Sequence, residues 1–311
     1  DDGIQRGISP DLKDAFIADS AIFEGNALEK DYIKKTITGG DDVKRFYVKE
    51  TNKAILYITK EIDPQKIPRI ISYISKFKDR ITCTEVAQGK HPFYTLHRAR
   101  DESIFIKQNK IIGVITGDKI ITAIDQGNLY PTDGLYLMGS KREFSPFFVM
   151  AVLNSKLATY CYRLLSGEIG RVLSQVKPQV LGDLPFIPAP VEKQRPFIEK
   201  TEIMLAKNKA LHDVSSKFLA LLKSEFGLEK PGGKLEEWYR LDFAAFTAEL
   251  AKKKIALTLA KKAEWMEHFE KQKAIAAALK STIDATDRDI DQMVYALYGL
   301  TPDEIAIVEG A

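Results

Sequence analysis

The sequence predicts an α+β fold: a mixed α/β domain over residues 1–192, then an α-helical hairpin or bundle over residues 193–311. Three observations predict it. Short β-branched and aromatic runs separated by Gly, Asp, Asn and Pro fill the first part. Pro185, Pro188, Pro190 and Pro196 then crowd together, and because proline offers no amide hydrogen to a helix or central strand, an extended crossing is expected there. Beyond the prolines the apolar period shifts from two to about 3.5 residues.

In chain order, strands are expected at RFYVKE (45–50), AILYIT (54–59), KIIGVIT (110–116), KIITAI (119–124) and GLYLM (134–138). Two helices are expected among them, PRIISYISKFKDRI (68–81) and SPFFVMAVLNSKLATYCYRLL (145–165). After the prolines, Phe197, Met204, Leu211 and Phe218 recur every seven residues, with Val214 and Leu221 as a second seam. That spacing predicts a long amphipathic helix ending at Gly227, with KPGGK (230–234) as the turn. A second long helix carrying Trp265, Met266, Phe269, Ala276 and Ile283 is expected to pack antiparallel on it. Thr286 with Asp289 reads as the start of a further helix closed by Gly299, and Thr301, Pro302 and Glu304 form a capping-box pattern for the last one.

Composition narrows the function. At 311 residues, with 45% hydrophobic and 29% charged residues, the chain has the balance of a core-forming protein. Its net charge of +3 is unevenly placed: residues 41–120 hold 16 Lys and Arg against 10 Asp and Glu, while residues 193–311 hold 19 of each. A cationic, aromatic-containing stretch on strands and turns, centred on 94–138, suits a polyanion surface better than a small-molecule pocket. Cys83 and Cys161 show no metal-like spacing, and two cysteines in a chain of this size read as a reduced, intracellular protein. No apolar run reaches the roughly 20 residues of a membrane span, and the opening DDGIQRGISPDLKDAF has no signal-peptide pattern. A cytoplasmic protein is expected, and the first residue, Asp1, suggests a piece of a longer polypeptide.

The signatures of nucleotide hydrolysis, dinucleotide binding, zinc proteolysis and esterase chemistry do not occur. Asp287, Asp289 and Asp291 imitate the start of a calcium loop, but Gln292 and Tyr298 replace its Gly and Glu, so the acids read as favourable charges at a helix start. The acid-x-Lys triplets Asp11-Leu12-Lys13 and Asp42-Val43-Lys44, with Asp31 upstream of the second, keep a metal-dependent nuclease open as an alternative. His91 and His97 sit near basic residues in sequence, which favours a hydrogen-bonding or phosphate-facing role over a tuned general base. No catalytic residue and no metal ligand set is expected in this chain.

Arg and Lys on turns can neutralise phosphates, while Arg and Lys read guanine and Asn and Gln read adenine in the major groove. The candidates are Lys44, Arg45, His97, Arg98, Arg100, Lys107, Gln108, Asn109, Lys110 and Lys119, with Arg171, Gln175 and Lys177 on a glycine-flanked loop. The competing structural reading makes HRAR an ion-paired turn with Asp101 or Glu102 and makes KIIGVIT a core strand. Tyr94, Tyr130, Tyr136, Tyr160 and Tyr162 are placed on strands and a helix, where tyrosine is more often packing than a base platform. Lys252–Lys254 reads as a solvated face.

The order GGDDVKRFYV, AILYIT, FYTLHRARDESIF, KIIGVITGD, GNLYPTDGLYLM, VLNSKLATYCYRLL and GRVLSQVKPQVLGDLPFIPAP resembles the TaqI-like C-terminal specificity domain of type IIG restriction-modification enzymes. The likeness spans roughly residues 4–190, and LDFAAFTAELAKKK, AEWMEHFEKQKA and DIDQMVYALYGLTPDEIAIV extend it through the tail. The resemblance implies a target recognition domain that binds double-stranded DNA and positions an upstream adenine-N6 methyltransferase and nuclease of the same polypeptide. It implies S-adenosylmethionine and Mg²⁺ for those parts and no cofactor for this chain, which lacks the N-P-P-Y motif that holds a flipped adenine. Besides the nuclease, a helical protein-interaction module of a split specificity subunit stands as an alternative.

Overall fold

The computed structural model describes residues 3–167 and 174–310. The chain forms two compact units: Asp1–Ile198 together with Met293–Ala311, and Glu199–Gln292. The nine strands of the described residues lie in the first unit: β1 (Gln5–Arg6), β2 (Ile17–Asp19), β3 (Ile33–Lys35), β4 (Val43–Lys44), β5 (Tyr47–Val48), β6 (Lys53–Leu56), β7 (Lys110–Val114), β8 (Thr122–Asp125) and β9 (Leu135–Met138).

They make an antiparallel four-stranded sheet in the order β1-β9-β7-β8, a three-stranded sheet β2-β6-β3 and the β4-β5 hairpin. Every residue of β7, β8 and β9 is buried, the mark of a sheet covered on both faces and the reason these strands read as near-continuous apolar runs. Ile112, Val114, Leu135 and Leu137 join one core with Ile55 and Leu56 of β6 and with Ile70 and Ile74 of the helix Pro68–Ser75. Against β7 and β8 also lies the helix Pro146–Leu153. Gly113 pairs with Tyr136, and a Cβ at Gly113 would stand 1.9 Å from the Tyr136 ring, so the ring fills the space a side chain would need.

Local rules change several expected boundaries. The apolar run 145–165 is two helices, Pro146–Leu153 and Lys156–Ser166, because Ser155 caps the second by accepting from the Ala158 amide at 3.1 Å. The run 68–81 is helical only over Pro68–Ser75 and closes with a short 3-10 turn, Lys78–Arg80. Pro185, Pro188 and Pro190 lie in an extended segment, but Pro196 sits inside the helix Val191–Phe226, where its missing amide costs one early hydrogen bond without ending the helix.

In the second unit, Lys200 meets Asp289 at 2.6 Å, Phe218 meets Phe269 at 6.1 Å and Lys261 meets Glu225 at 3.7 Å, so the helices Val191–Phe226 and Leu259–Tyr298 run antiparallel. Phe218 stacks on Trp238 at 3.8 Å, and Trp265, Phe246 and Phe269 complete an aromatic core. Leu222 is fully buried whereas Leu221 is 37% exposed, since a straight helix of about 3.6 residues per turn drifts off a seven-residue repeat. Met266 is likewise exposed, one position from the buried Trp265. Leu259–Tyr298 is unbroken through Thr286 and Asp289, so no helix starts there; Thr286 donates to the Thr282 carbonyl and Asp289 is held by Lys200. The last helix, Pro302–Gly310, does carry its capping box, with Glu304 accepting from the amide and hydroxyl of Thr301. No helix among the described residues is long and apolar enough to cross a membrane.

Candidate functional site

The β7–β8 hairpin turn carries Lys119, and it is fixed from outside the hairpin. Val176 donates to the Ile115 carbonyl at 2.7 Å and Gly117 to the Ser174 carbonyl at 2.9 Å, so the segment 174–176 lies alongside the turn. Arg163 pairs with Asp118 at 2.8 Å. The helix Lys156–Ser166 ends at Gly167 in the left-handed conformation, φ 61°, which glycine adopts without strain. Tyr162 then ties the returning chain, donating to the Gln175 carbonyl at 2.8 Å while its oxygen accepts from the Lys177 amide at 2.7 Å. The exposed Gln175 and half-buried Lys177 therefore stand beside the exposed Lys119. Arg171 lies outside the described residues.

The β4–β5 hairpin joins the same end of the sheet. Its turn residue Phe46 is buried and donates to the Thr122 carbonyl at 2.9 Å, at the start of β8. Asn154 exchanges three hydrogen bonds with Thr122. Lys44 is exposed on this hairpin. Arg45 turns inward instead, and its guanidinium donates to the Asn154 carbonyl at the C-terminus of the helix Pro146–Leu153, where a cation offsets the helix dipole.

Arg98 and Arg100 approach from β1. Ser9 and Arg98 exchange backbone hydrogen bonds, the Ser9 hydroxyl donates to Asp133 at 3.0 Å, and Gly134 accepts from the Ile115 amide at 3.1 Å, which connects Arg98 to the turn end of β7. Arg98 is exposed; Arg100 is half-buried, has φ 69° and donates from Nε to the Gly7 carbonyl at 3.2 Å. Burial pushes the Arg100 guanidinium pKa down, with Arg98 and Arg6 adding like charge against the opposing Asp133. Arg6, exposed on β1, thus belongs to this cluster. A polar groove lined by Arg98 and Arg100 adds Lys60 and Lys90, with Glu61 and Glu85 as its acids. Sequence reading missed these three cations, and the alternation of β1 is too short to signal Arg6.

The remaining candidates lie elsewhere. Lys107, Gln108 and Asn109 sit at the opposite end of β7, about 13 Å away along the strand by its rise per residue. Gln108 is exposed and Asn109 makes the turn with φ 56°. Lys110 faces the interior: its side chain is fully buried, pairs with Asp125 and donates to the Phe105 carbonyl at 2.6 Å, so it is a core cation and not a groove contact. Burial pushes its ammonium pKa down, and Asp125 pulls it back. His97 also differs from expectation, since folding brings Asp11 and Glu85 against its ring. Tyr130, Tyr136 and Tyr162 are buried, as packing residues are.

The acid-x-Lys triplets do not assemble a nuclease centre. Burial works to raise the Asp42 carboxyl, but hydrogen bonds from the Thr38 amide and hydroxyl and the nearby Lys53 ammonium outweigh it and hold the group below its ordinary value. Lys13 pairs with Asp133, and Asp31 is exposed beside β3. Asp42 is a turn-capping carboxylate.

Residues 34–186 match the TaqI-like C-terminal specificity domain, and residues 190–294 match a domain of unknown function (DUF8810). No curated protein matches the chain. Among solved structures, the chain is similar to the type IIL restriction-modification enzyme MmeI in complex with DNA, at 13% identity and TM-score 0.56, over 98% of this chain and 34% of that one. It also matches the type IIG restriction endonuclease BpuSI, at 10% identity and TM-score 0.37, over 95% of this chain and 30% of that one. The chain thus spans about a third of the length of these enzymes, and at such identities the likeness to MmeI concerns the fold.

Proposed function

We propose that the TaqI-like specificity domain at residues 34–186 makes this chain a DNA target recognition module, followed by a helical spacer. The observation that carries the reading is the meeting, at one end of the four-stranded sheet of a domain of that family, of the β7–β8 turn, the 174–177 segment, the β4–β5 hairpin and the HRAR segment. Loops on a rigid sheet can enter a groove while the sheet keeps register. Lys44, Arg98 and Lys119 then take phosphate or guanine contacts, and Gln175 offers an amide for adenine. Lys107, Gln108 and Asn109 serve only a surface that wraps past the far end of β7. In the whole protein the module places an upstream adenine-N6 methyltransferase using S-adenosylmethionine, and a Mg²⁺-dependent nuclease, on the recognised site in the cytoplasm.

A mobility-shift series on duplex DNA without metal tests this. Binding is expected, with log K falling by about 0.9 per phosphate contact for each unit of log salt. The chain alone should neither transfer labelled methyl groups nor cut DNA in Mg²⁺. Absence of a shift at low salt, or cleavage by the purified chain, defeats the reading.

A further inference from the structure

Folding brings Asp11, from a distant segment, together with Cys83 and His97, while Cys83, Glu85 and His91 form a second cluster that shares the same thiol. Asp11 precedes β2, Cys83 caps the short helix Thr84–Ala87, and the two histidines flank the turn that follows it. Around the thiol, Cys83 Sγ lies 3.8 Å from His97 Nδ1 and 4.0 Å from His91 Nε2, and the two Asp11 oxygens face the two rings, Oδ1 at 3.0 Å from His97 Nδ1 and Oδ2 at 3.6 Å from His91 Nε2. Four donors around a tetrahedral zinc ion, at about 2.0–2.3 Å from it, lie roughly 3.3–3.7 Å from one another.

The outer sides of the rings support the same assignment. His91 Nδ1 lies 3.1 Å from the Pro92 carbonyl, which can only accept, so that nitrogen carries the proton and Nε2 turns a lone pair towards Cys83 and Asp11. His97 Nε2 meets the Glu85 carboxylate, which leaves Nδ1 bare on the inner side. The carboxylate–imidazole pairing is the one that orients metal-bound histidines. Asp11 supplies a further sign: its side chain is only 2% exposed, and its oxygens face the two imidazoles without a regular hydrogen bond to either oxygen. A buried carboxylate without donors is costly unless a cation meets it.

We propose that Asp11, Cys83, His91 and His97 form a structural zinc site, with Glu85 orienting His97. A thiolate, two imidazoles and a carboxylate suit Zn²⁺ better than the oxygen-seeking Mg²⁺ or Ca²⁺. Binding makes one Zn–S, two Zn–N and one Zn–O bond and releases the Cys83 proton to solvent, with no change of oxidation state. The ion ties the segment before β2 to the loop that leads directly into Arg98. The site stands whether or not the chain binds DNA, because its test reads metal.

The untagged chain, stripped by chelator and titrated with Co²⁺, is expected to bind one ion with the strong visible bands of tetrahedral cobalt and a near-ultraviolet thiolate charge-transfer band, both removed by Zn²⁺. Cys83→Ser should lose the charge-transfer band while Cys161→Ser keeps it, and Glu85→Ala should weaken binding by about 10- to 100-fold. Thiol labelling covers the case in which the Cys83 variant does not fold: the zinc-loaded parent should expose one reactive thiol and the stripped parent two. A cobalt spectrum no different from the aqueous ion, a charge-transfer band that follows Cys161, or equal labelling with and without zinc overturns the site and leaves His97 as an imidazolium between two carboxylates.

Discussion

Arg98 faces solvent, whereas Arg100, two residues on, donates to the Gly7 carbonyl from a left-handed backbone conformation. Sequence shows two equivalent guanidinium groups; the difference comes from the close pairing of Ser9 with Arg98, a contact across most of the first hundred residues. Arg98→Ala is therefore expected to weaken duplex binding and lower the salt slope by about 1, with stability unchanged. Arg100→Ala should instead reduce stability by about 1 kcal/mol in urea unfolding, the net value of one hydrogen bond. The reverse pattern would make Arg100 the DNA contact. Asp42 gives a pH test. Its folded pKa lies below the ordinary 3.8, so its stabilisation is present above that value and disappears as pH falls through the folded pKa. The unfolding free energies of the parent and Asp42→Asn should differ by a constant amount near neutrality and converge below pH 3.8. A difference that persists undiminished at low pH rules out this charge-based account.

The apolar run of β7 was legible because both faces of the strand are buried, and Gly117 and Asp118 marked its end, but the antiparallel pairing with β8 shows only in the structure. The fate of Lys110 was not legible. A lysine at the head of KIIGVIT reads as a turn cation, and only the pairing Lys110↔Asp125 shows that it faces an acid inside the sheet. Asp125 also accepts from the amides of Gly127 and Leu129, both at 2.7 Å, so the pair pins the β8–β9 connection. Lys110→Ala leaves Asp125 buried without its cation and should cost about 3–5 kcal/mol of stability. Under conditions where the variant stays folded, the salt slope of DNA binding should not move. A drop in that slope would return Lys110 to the interface.

The shift in periodicity announced a helical second part, yet the chain does not end there. Met293–Ala311 belongs to the first unit, where Val294, Tyr295 and Val308 are buried, Tyr298 donates to the Pro185 carbonyl at 2.8 Å and Glu309 pairs with Lys156. Heptad spacing gives no sign of this return, because an apolar helical face reads the same whichever surface it covers. The cysteine–histidine cluster escaped for a similar reason: its fourth member, Asp11, lies outside any local motif. Ending the chain after Gln292 should lower the stability of the first unit by about 3 kcal/mol or more, given three buried side chains lost, and hydrogen exchange in β7–β9 should rise accordingly. Unchanged protection there would show that the last helix is dispensable. The same return makes Glu199–Gln292 an insertion within the first unit, entered and left through single helices. Any exchange of the first unit between related chains therefore has two junctions to respect, and a one-crossover chimera joined near residue 198 inherits a foreign closing helix for that unit.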